Sequence, residues 1–356
     1  MKNTVRRTMG FALAAVATLV AMEAGLRLLP VADGRFRSEP LGPVSSARLV
    51  SNRPITSSFG WDMQSVSRNT TNTQGFIAPA DYREGSSIIG VFGDSYVEGA
   101  TLDYPQSLVG QLANMTSGKR PVYSFGLAGA GLPHHLGMVQ EMSQHYKVTA
   151  AVIVVSPGDF FEGFASAPGL YHWAGSTAPS VVALTPEVYR GTAAAMLRES
   201  ALVRYFRGNL KLSLAGLFKR TDLTSRSCTE AYLPPGERAR VKRFVEELVS
   251  VEHLRPEAIV LVFESDRNAL YAGRVQRDGP EAAPRCASQD DLALRFLATE
   301  AAEAGIKVVQ SEPVFRRYYE KTRLLLDSSP YDGHWNAAGV RLISSEVVKL
   351  ISDPAN

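Results

Sequence analysis

The stretch Ile88–Gly99, IIGVFGDSYVEG, constrains this chain more than any other. Ile88–Phe92 is a short continuous run of branched and aromatic residues, the pattern of a strand buried on both faces. It stops at Gly93-Asp94-Ser95, where glycine permits a sharp turn and a serine is left at the strand's C-terminal end. Open α/β sheets place their ligands there. A serine at such a turn can expose its hydroxyl while the following helix offers backbone N–H donors. A plain Gly-Asp-Ser loop with an N-capping serine would read the same way in isolation. A second stretch, Asp332-Gly333-His334-Trp335-Asn336, favours chemistry by supplying an acid and an imidazole.

From Ser87 onward, strand-like and helix-like segments alternate. Strands are expected at Ile88–Phe92, Pro121–Phe125, Ala150–Val155, Ala258–Phe263 and Ile306–Val309. Helices are expected at Tyr104–Met115, Leu132–Tyr146, Arg238–Val251, Leu292–Ala304 and Asn336–Ile351. Continuous apolar strands separated by helices predict a parallel sheet covered on both faces. The expectation is an α/β fold, a three-layer α/β/α sandwich around five parallel strands with a mainly helical insertion.

Upstream of that core the chain changes character. Lys2, Arg6 and Arg7 precede Thr8–Met22, an uncharged run of 15 residues rich in Ala, Val and Leu. A basic head before an apolar segment marks export. The run is short against the ~20 residues that cross a bilayer, but extending it to Leu29 reaches that length, with Glu23 and Arg27 near an interface where long side chains snorkel. No clean Ala-x-Ala cleavage site follows, so an uncleaved signal anchor is preferred to a cleaved signal peptide for residues 1–30. No cysteine follows the run either, which excludes a lipoprotein anchor. Residues 31–85, rich in Ser, Arg, Pro and Asn, read as a membrane-proximal arm with short extended pieces. The core then occupies 86–162 and 237–356, interrupted by an insertion at 163–236 that is long enough to hold its own structure or a lid. Within it, Thr185–Phe218 is helix-prone and basic, either a cap packed on the domain or a surface touching a membrane or an anionic glycan. The net charge of +3 argues against nucleic acid as a partner. Cys228 and Cys286, the only cysteines, pair or stay as buried thiols, and spacing does not choose.

A serine hydroxyl is a poor nucleophile until an imidazole takes its proton, and the imidazole needs a carboxylate to set its tautomer. Ser95, His334 and Asp332 supply those three groups, although Ser95 and His334 stand 239 positions apart. His134 and His135 follow the glycine turn 126–131 and are either pocket-lining or surface histidines; His145, His172 and His253 stand in no comparable setting. Asp159, Glu264, Asp266 and Glu312 fall at expected strand ends, where each lines a substrate rim or is simply solvated. No metal-ligand spacing, P-loop or dinucleotide fingerprint follows any strand, so no metal and no cofactor is expected.

These blocks together resemble the SGNH, or GDSL-type, hydrolase family, whose sandwich is flavodoxin-like. The resemblance runs from Ser87 to the C-terminus outside the insertion, and extends to the membrane-anchored bacterial branch and to proteins of polysaccharide O-acetylation. It implies Ser95 as nucleophile, His334 as general base and Asp332 as its partner. It also implies an oxyanion hole built from the N–H groups of Ser95 and Gly129. Asp94 and Asp159, from their places at expected strand ends, are candidates for contacting substrate. Two departures stand out. The family carries Gly-x-Asn-Asp after the third strand, with the Asn amide as third oxyanion donor; here Ser156-Pro157-Gly158-Asp159 puts Gly158 in that place. The usual Asp-x-x-His is also shortened to Asp-x-His, with Asp327 as a fallback acid.

The resemblance implies an extracytoplasmic serine esterase or O-acetyltransferase, held at the bacterial inner membrane with its domain in the periplasm, or secreted if the signal is cleaved. Its partners would be an acylated cell-envelope or exported glycan, or a small ester, and a membrane acyltransferase. The competing readings are a non-catalytic glycan-binding or assembly protein on a degenerate fold, motivated by Gly158, and a lipase-like esterase lidded by the insertion.

Overall fold

The computed structural model describes residues 2–34, 37–38, 46–63, 65–116, 118, 120–165, 169–173, 179–181, 197, 199–212, 232–264, 270–271, 289–328 and 332–351. Five strands form the central sheet: β1 (Ser87–Gly93), β2 (Val122–Gly126), β3 (Lys147–Val155), β4 (Ile259–Phe263) and β5 (Lys307–Gln310). All neighbours run parallel, in the order β5-β4-β3-β1-β2. The order reverses direction between β1 and β3, the switch point at which such sheets open a crevice beyond the strand ends.

Alternate strand residues face opposite sides, so the two faces of the sheet meet separate helix layers. Ile88, Phe92, Ile153, Val155, Leu261 and Phe263 pack toward α4 (Leu132–Ser143), α6 (Pro235–Val249) and α7 (Gln289–Glu303). Ile89, Val91, Val152, Val154, Val260 and Val262 pack toward α3 (Leu108–Met115) and α9 (Ala337–Ile351) on the other face. Burying each such side chain contributes ~1.5–3 kcal/mol, which explains why these segments read as unbroken apolar runs. The three-layer sandwich expected from the sequence is the fold observed.

Differences from expectation are local. The helix expected at Tyr104–Met115 begins only at Leu108, because Ser107 is extended and caps it by accepting from the N–H of Gly110. Helix α8 (Ser311–Thr322) is not expected from the sequence: Val314, Phe315, Tyr318 and Tyr319 recur at helical spacing on one face, but Pro313 and the charged residues between them mask the stripe in SEPVFRRYYEKT. In the arm, Pro54–Phe59 and Ser65–Thr70 pair as an antiparallel hairpin. Most of the helix-prone stretch 185–218, with Asp266, Cys228 and Cys286, lies outside the described residues. What is described of the insertion includes α5 (Ala201–Arg204), a short helix, and the wider turn Tyr205–Asn209 that continues it.

At the N-terminus, α1 (Lys2–Arg27) contains Arg6–Arg27, long and apolar enough to cross a membrane by length and composition. Its apolar side chains, Phe11, Leu13 and Val20 among them, face away from the domain.

Candidate active site

The turn after β1 is forced by close packing. A Cβ on Gly93 would lie 2.6 Å from a methyl of Val97, and one on Gly126 would lie 2.2 Å from the backbone nitrogen of Glu98. Glycine at both places lets α2 (Ser95–Glu98) sit against the ends of β1 and β2. Asp94 caps α2, accepting from the N–H of Tyr96 at 2.9 Å. Ser95 is thereby set at the first position of the helix, half-buried, at the switch point of the sheet.

The loop before α9 delivers the other two groups. Ser328 donates its N–H to the carbonyl of His334 at 3.0 Å, and Asp332 donates to the carbonyl of Ser328 at 3.1 Å, so the loop curls back on itself. The curl makes the short Asp-x-His spacing work. Oδ1 of Asp332 accepts from the backbone N–H of His334 at 2.8 Å and also meets Nδ1 of its ring. On the opposite side of the imidazole, Nε2 lies 2.7 Å from Oγ of Ser95. With Nδ1–H donating to the carboxylate, Nε2 is left to accept the serine O–H. Tyr96 packs on the ring, the two centroids 4.7 Å apart, and the buried Trp335 packs on Tyr96 at 4.8 Å.

Burial opposes the charge on Asp332. The hydrogen bond and charge of His334, followed by the hydrogen bond from Lys211, outweigh it and hold the carboxyl well below the ordinary carboxylate range. Lys211 Nζ donates to the second oxygen, Oδ2, at 2.7 Å. This lysine comes from the insertion, and no local pattern in the sequence links it to Asp332, 121 residues later. The fallback acid Asp327 takes a different place, its backbone pairing with Trp335.

Hydrogen bonds in the two turns beside Ser95 leave particular N–H groups out. Tyr96, Val97 and Glu98 donate to Asp94, Ala128 donates to the Glu98 carboxylate at 2.9 Å, and Ala130 donates to Leu127. The N–H groups of Ser95 and Gly129 take no part in those turns. Gly129 adopts φ +77, a conformation that favours glycine. Gly158 has φ −115, open to any residue, and a Cβ there would come 3.2 Å from the Glu162 carboxylate. No side-chain amide stands at this position.

Asp94 and Asp159 are corrections to the expectation that they contact substrate. Asp159 is fully buried, receiving Nε2–H of His135 at 3.0 Å and both the N–H (2.8 Å) and hydroxyl (2.6 Å) of Ser156. Ser156 Oγ also lies 3.2 Å from Oδ2 of Asp94. The sheet-end packing that buries these carboxylates ties both into an internal polar network behind Ser95. Burial, with the charge of Asp159 behind it, pushes the Asp94 carboxyl up to about 7. His134 and His135 are likewise buried rather than on the surface or lining a pocket. Glu264 is buried, and Glu312 pairs with Arg316 on the outside of α8. Among the described residues no group of His, Cys, Asp and Glu converges as a metal site.

A hydroxyl, an imidazole and a carboxylate in this order can pass a proton from serine to ring nitrogen while a helix N-terminus faces the oxygen. Solved structures similar to the chain include a lipolytic protein of the G-D-S-L family from Veillonella parvula, at 10% identity over 76% of this chain and 100% of that one, with a TM-score of 0.38. An acetylxylan esterase from Geobacillus stearothermophilus is similar at 14% identity over 77% of this chain and 97% of that one, with a TM-score of 0.38. A G-D-S-L lipolytic protein from Desulfitobacterium hafniense is similar at 12% identity over 74% and 99%, again with a TM-score of 0.38. No protein-family model matches the chain, and no curated protein does.

Proposed function

We propose that this chain is an extracytoplasmic serine-dependent ester hydrolase or acyl transferase, working on O-acyl groups, acetyl first among them, of a cell-envelope or exported polysaccharide. The observation that carries the reading is Ser95 Oγ at 2.7 Å from His334 Nε2, with Asp332 bound to the ring's other nitrogen. Ser95 attacks the ester carbonyl as its proton moves to Nε2. The tetrahedral oxyanion is met by the N–H groups of Ser95 and Gly129. Collapse breaks the C–O bond, the leaving alcohol takes the proton from His334, and an acyl group stays on Ser95. Water then releases the free acid, or a sugar hydroxyl carries the acyl group away; the same residues serve both outcomes.

The location is part of the proposal. Glu23, one turn before Arg27 at the end of α1, accepts hydrogen bonds from Ser200, Ala201 and Leu202. A helix bonded to the folded domain in this way supports a retained anchor over a cleaved signal.

The test is covalent. Full-length protein in detergent, treated with a fluorophosphonate probe, is expected to be labelled at Ser95, with no labelling of Ser95→Ala. A folded wild-type protein that takes no label overturns the reading. It would favour the second one, a glycan-binding protein without turnover, for which the missing amide at Gly158 is the specific support. Incubation with an acetylated donor and a glycan acceptor then separates the two enzymatic outcomes, by acetyl appearing on the acceptor or as free acetate.

A further inference from the structure

The anchor helix does not leave the domain freely. The Glu23 carboxylate accepts from Ser200 Oγ at 2.8 Å and from the N–H groups of Ala201 at 3.0 Å and Leu202 at 2.9 Å. Just beyond the helix, Ala32 donates its N–H to Oδ1 of Asn209 at 3.0 Å, and Asp33 is ion-paired with Arg204. Asn209 in turn donates to Ser58 Oγ at 2.7 Å and accepts from the N–H of Gly60 at 3.1 Å. Residues 200–212 are therefore a strap, fastened to the end of α1 on one side and to the arm hairpin on the other. At its far end Lys211 reaches Asp332.

A helix that leaves a bilayer near Arg27 brings whatever is bonded near its end down to the lipid surface. Around that point the protein presents large apolar side chains to the outside. Leu28 is 88% exposed, Trp61 70%, Leu212 47% and Phe206 40%. Trp61, Phe206 and Leu212 belong to one neighbourhood, since Tyr205 donates its hydroxyl to the Trp61 carbonyl at 3.0 Å and Leu212 donates its N–H to the Phe206 carbonyl at 2.9 Å; Leu28 shortly precedes Ala32, which is bonded to Asn209 of the same strap. Left in water this ring of side chains has no compensation. Against lipid it has the composition of an interfacial belt, with tryptophan among aliphatic and aromatic neighbours.

We propose that Leu28, Leu29, Trp61, Phe206 and Leu212 form a collar that seats the α/β domain on the lipid bilayer, with the Lys211–Asp332 edge of the site turned toward the membrane. The inference rests on the anchored reading above and is independent of the chemistry at Ser95. It goes beyond tethering, because a tethered domain tumbles above the surface and a seated one holds its site in a fixed orientation to it.

Tryptophan fluorescence tests the collar directly, since Trp173 and Trp335 are buried and Trp61 is exposed. The full chain is placed in nanodiscs of phosphatidylcholine and phosphatidylglycerol, with and without lipids brominated near the head of the acyl chain. The expected result is a loss of emission with the brominated lipids that disappears in Trp61→Phe and shrinks in Phe206→Ser/Leu212→Ser. Emission unchanged by brominated lipid overturns the proposal, as does quenching that persists in Trp61→Phe. A mature protein whose mass shows it to begin after Arg27 also overturns it. Fluorophosphonate labelling in the same nanodiscs keeps the two readings apart: a labelled Ser95 with an unquenched Trp61 sinks the collar alone, and the reverse sinks the serine chemistry alone.

Discussion

Lys211 Nζ donates to Oδ2 of Asp332 at 2.7 Å, so the carboxylate that faces His334 with one oxygen is held by an ammonium at the other. Lys211 itself sits in the left-handed region, at φ +52, which a lysine occupies at some cost and keeps only where its surroundings fix it. Its ammonium offsets part of the negative charge that stabilises a protonated His334.

Removing that charge changes a pH profile. In Lys211→Met the imidazolium is favoured by the full charge of Asp332, so the acidic limb of Ser95 labelling moves to higher pH. Half of the Lys211 side chain is exposed, so solvent screens part of its charge. Lys211→Arg is expected to restore the wild-type limb. A fluorophosphonate labelling rate measured from pH 5 to 9 decides it, and an unchanged limb in Lys211→Met removes Lys211 from the site's electrostatics.

Asp332 has a role no other carboxylate takes over. Asp332→Asn removes the negative charge and one of the two acceptor oxygens, so an N–H₂ group faces either Lys211 or the N–H groups of His334, and the imidazolium formed when Ser95 gives up its proton loses its counter-charge. Labelling of Ser95 is expected to fall by about 10³-fold or more, while Asp327→Asn leaves it within a few-fold. Comparable losses in both variants would mean that the loop, and not the carboxylate, is what matters.

Gly158 is the position where an added group should help. Its φ of −115 accepts asparagine, and the side chain it would approach is the movable end of Glu162. One oxyanion donor is worth on the order of 10²–10³ in rate. Gly158→Asn is therefore expected to raise ester turnover at least 10-fold, measured as kcat on an aryl acetate. No gain, with the fold intact, would show that the oxyanion is met by other groups.

The buried network makes a stability prediction of definite sign. Asp94, raised to about 7 in the fold from an ordinary value of 3.8, binds its proton more tightly folded than unfolded. Its contribution is therefore fully present below about pH 4 and is lost as pH rises toward 7. Asp94→Asn stays neutral throughout and keeps an acceptor for the N–H of Tyr96. The variant's stability relative to wild type is expected to rise between pH 4 and 7, by up to on the order of 4 kcal/mol. Urea unfolding at several pH values checks this, and a pH-independent difference would contradict it.

Some of this was open to reading before any fold was known. Ile88–Phe92, Ala150–Val155 and Ala258–Phe263 announce strands because a parallel strand covered on both faces has no polar side to interrupt its apolar run. Ser95 was visible because it ends such a run after glycine, and His334 because a second polar cluster precedes the last helix. Helix α8 was hidden because its inward stripe, Phe315 and Tyr319 with Val314 and Tyr318 beside them, is interleaved with Pro313 and charged residues. Asp94 and Asp159 were misplaced because a carboxylate at a strand end looks the same whether solvent or a histidine receives it.

Local pattern alone determined the sheet, its covering layers and the three side-chain types able to move a proton, since periodicity and turn chemistry act between near neighbours in the chain. Tertiary structure alone decided that the loop of Asp332 and His334 meets Ser95, that Lys211 reaches that loop from the insertion, and that Glu23 clasps the strap. Those are contacts between segments up to 239 residues apart, and charge or hydrogen-bonding capacity in one segment carries no mark of the partner it will meet.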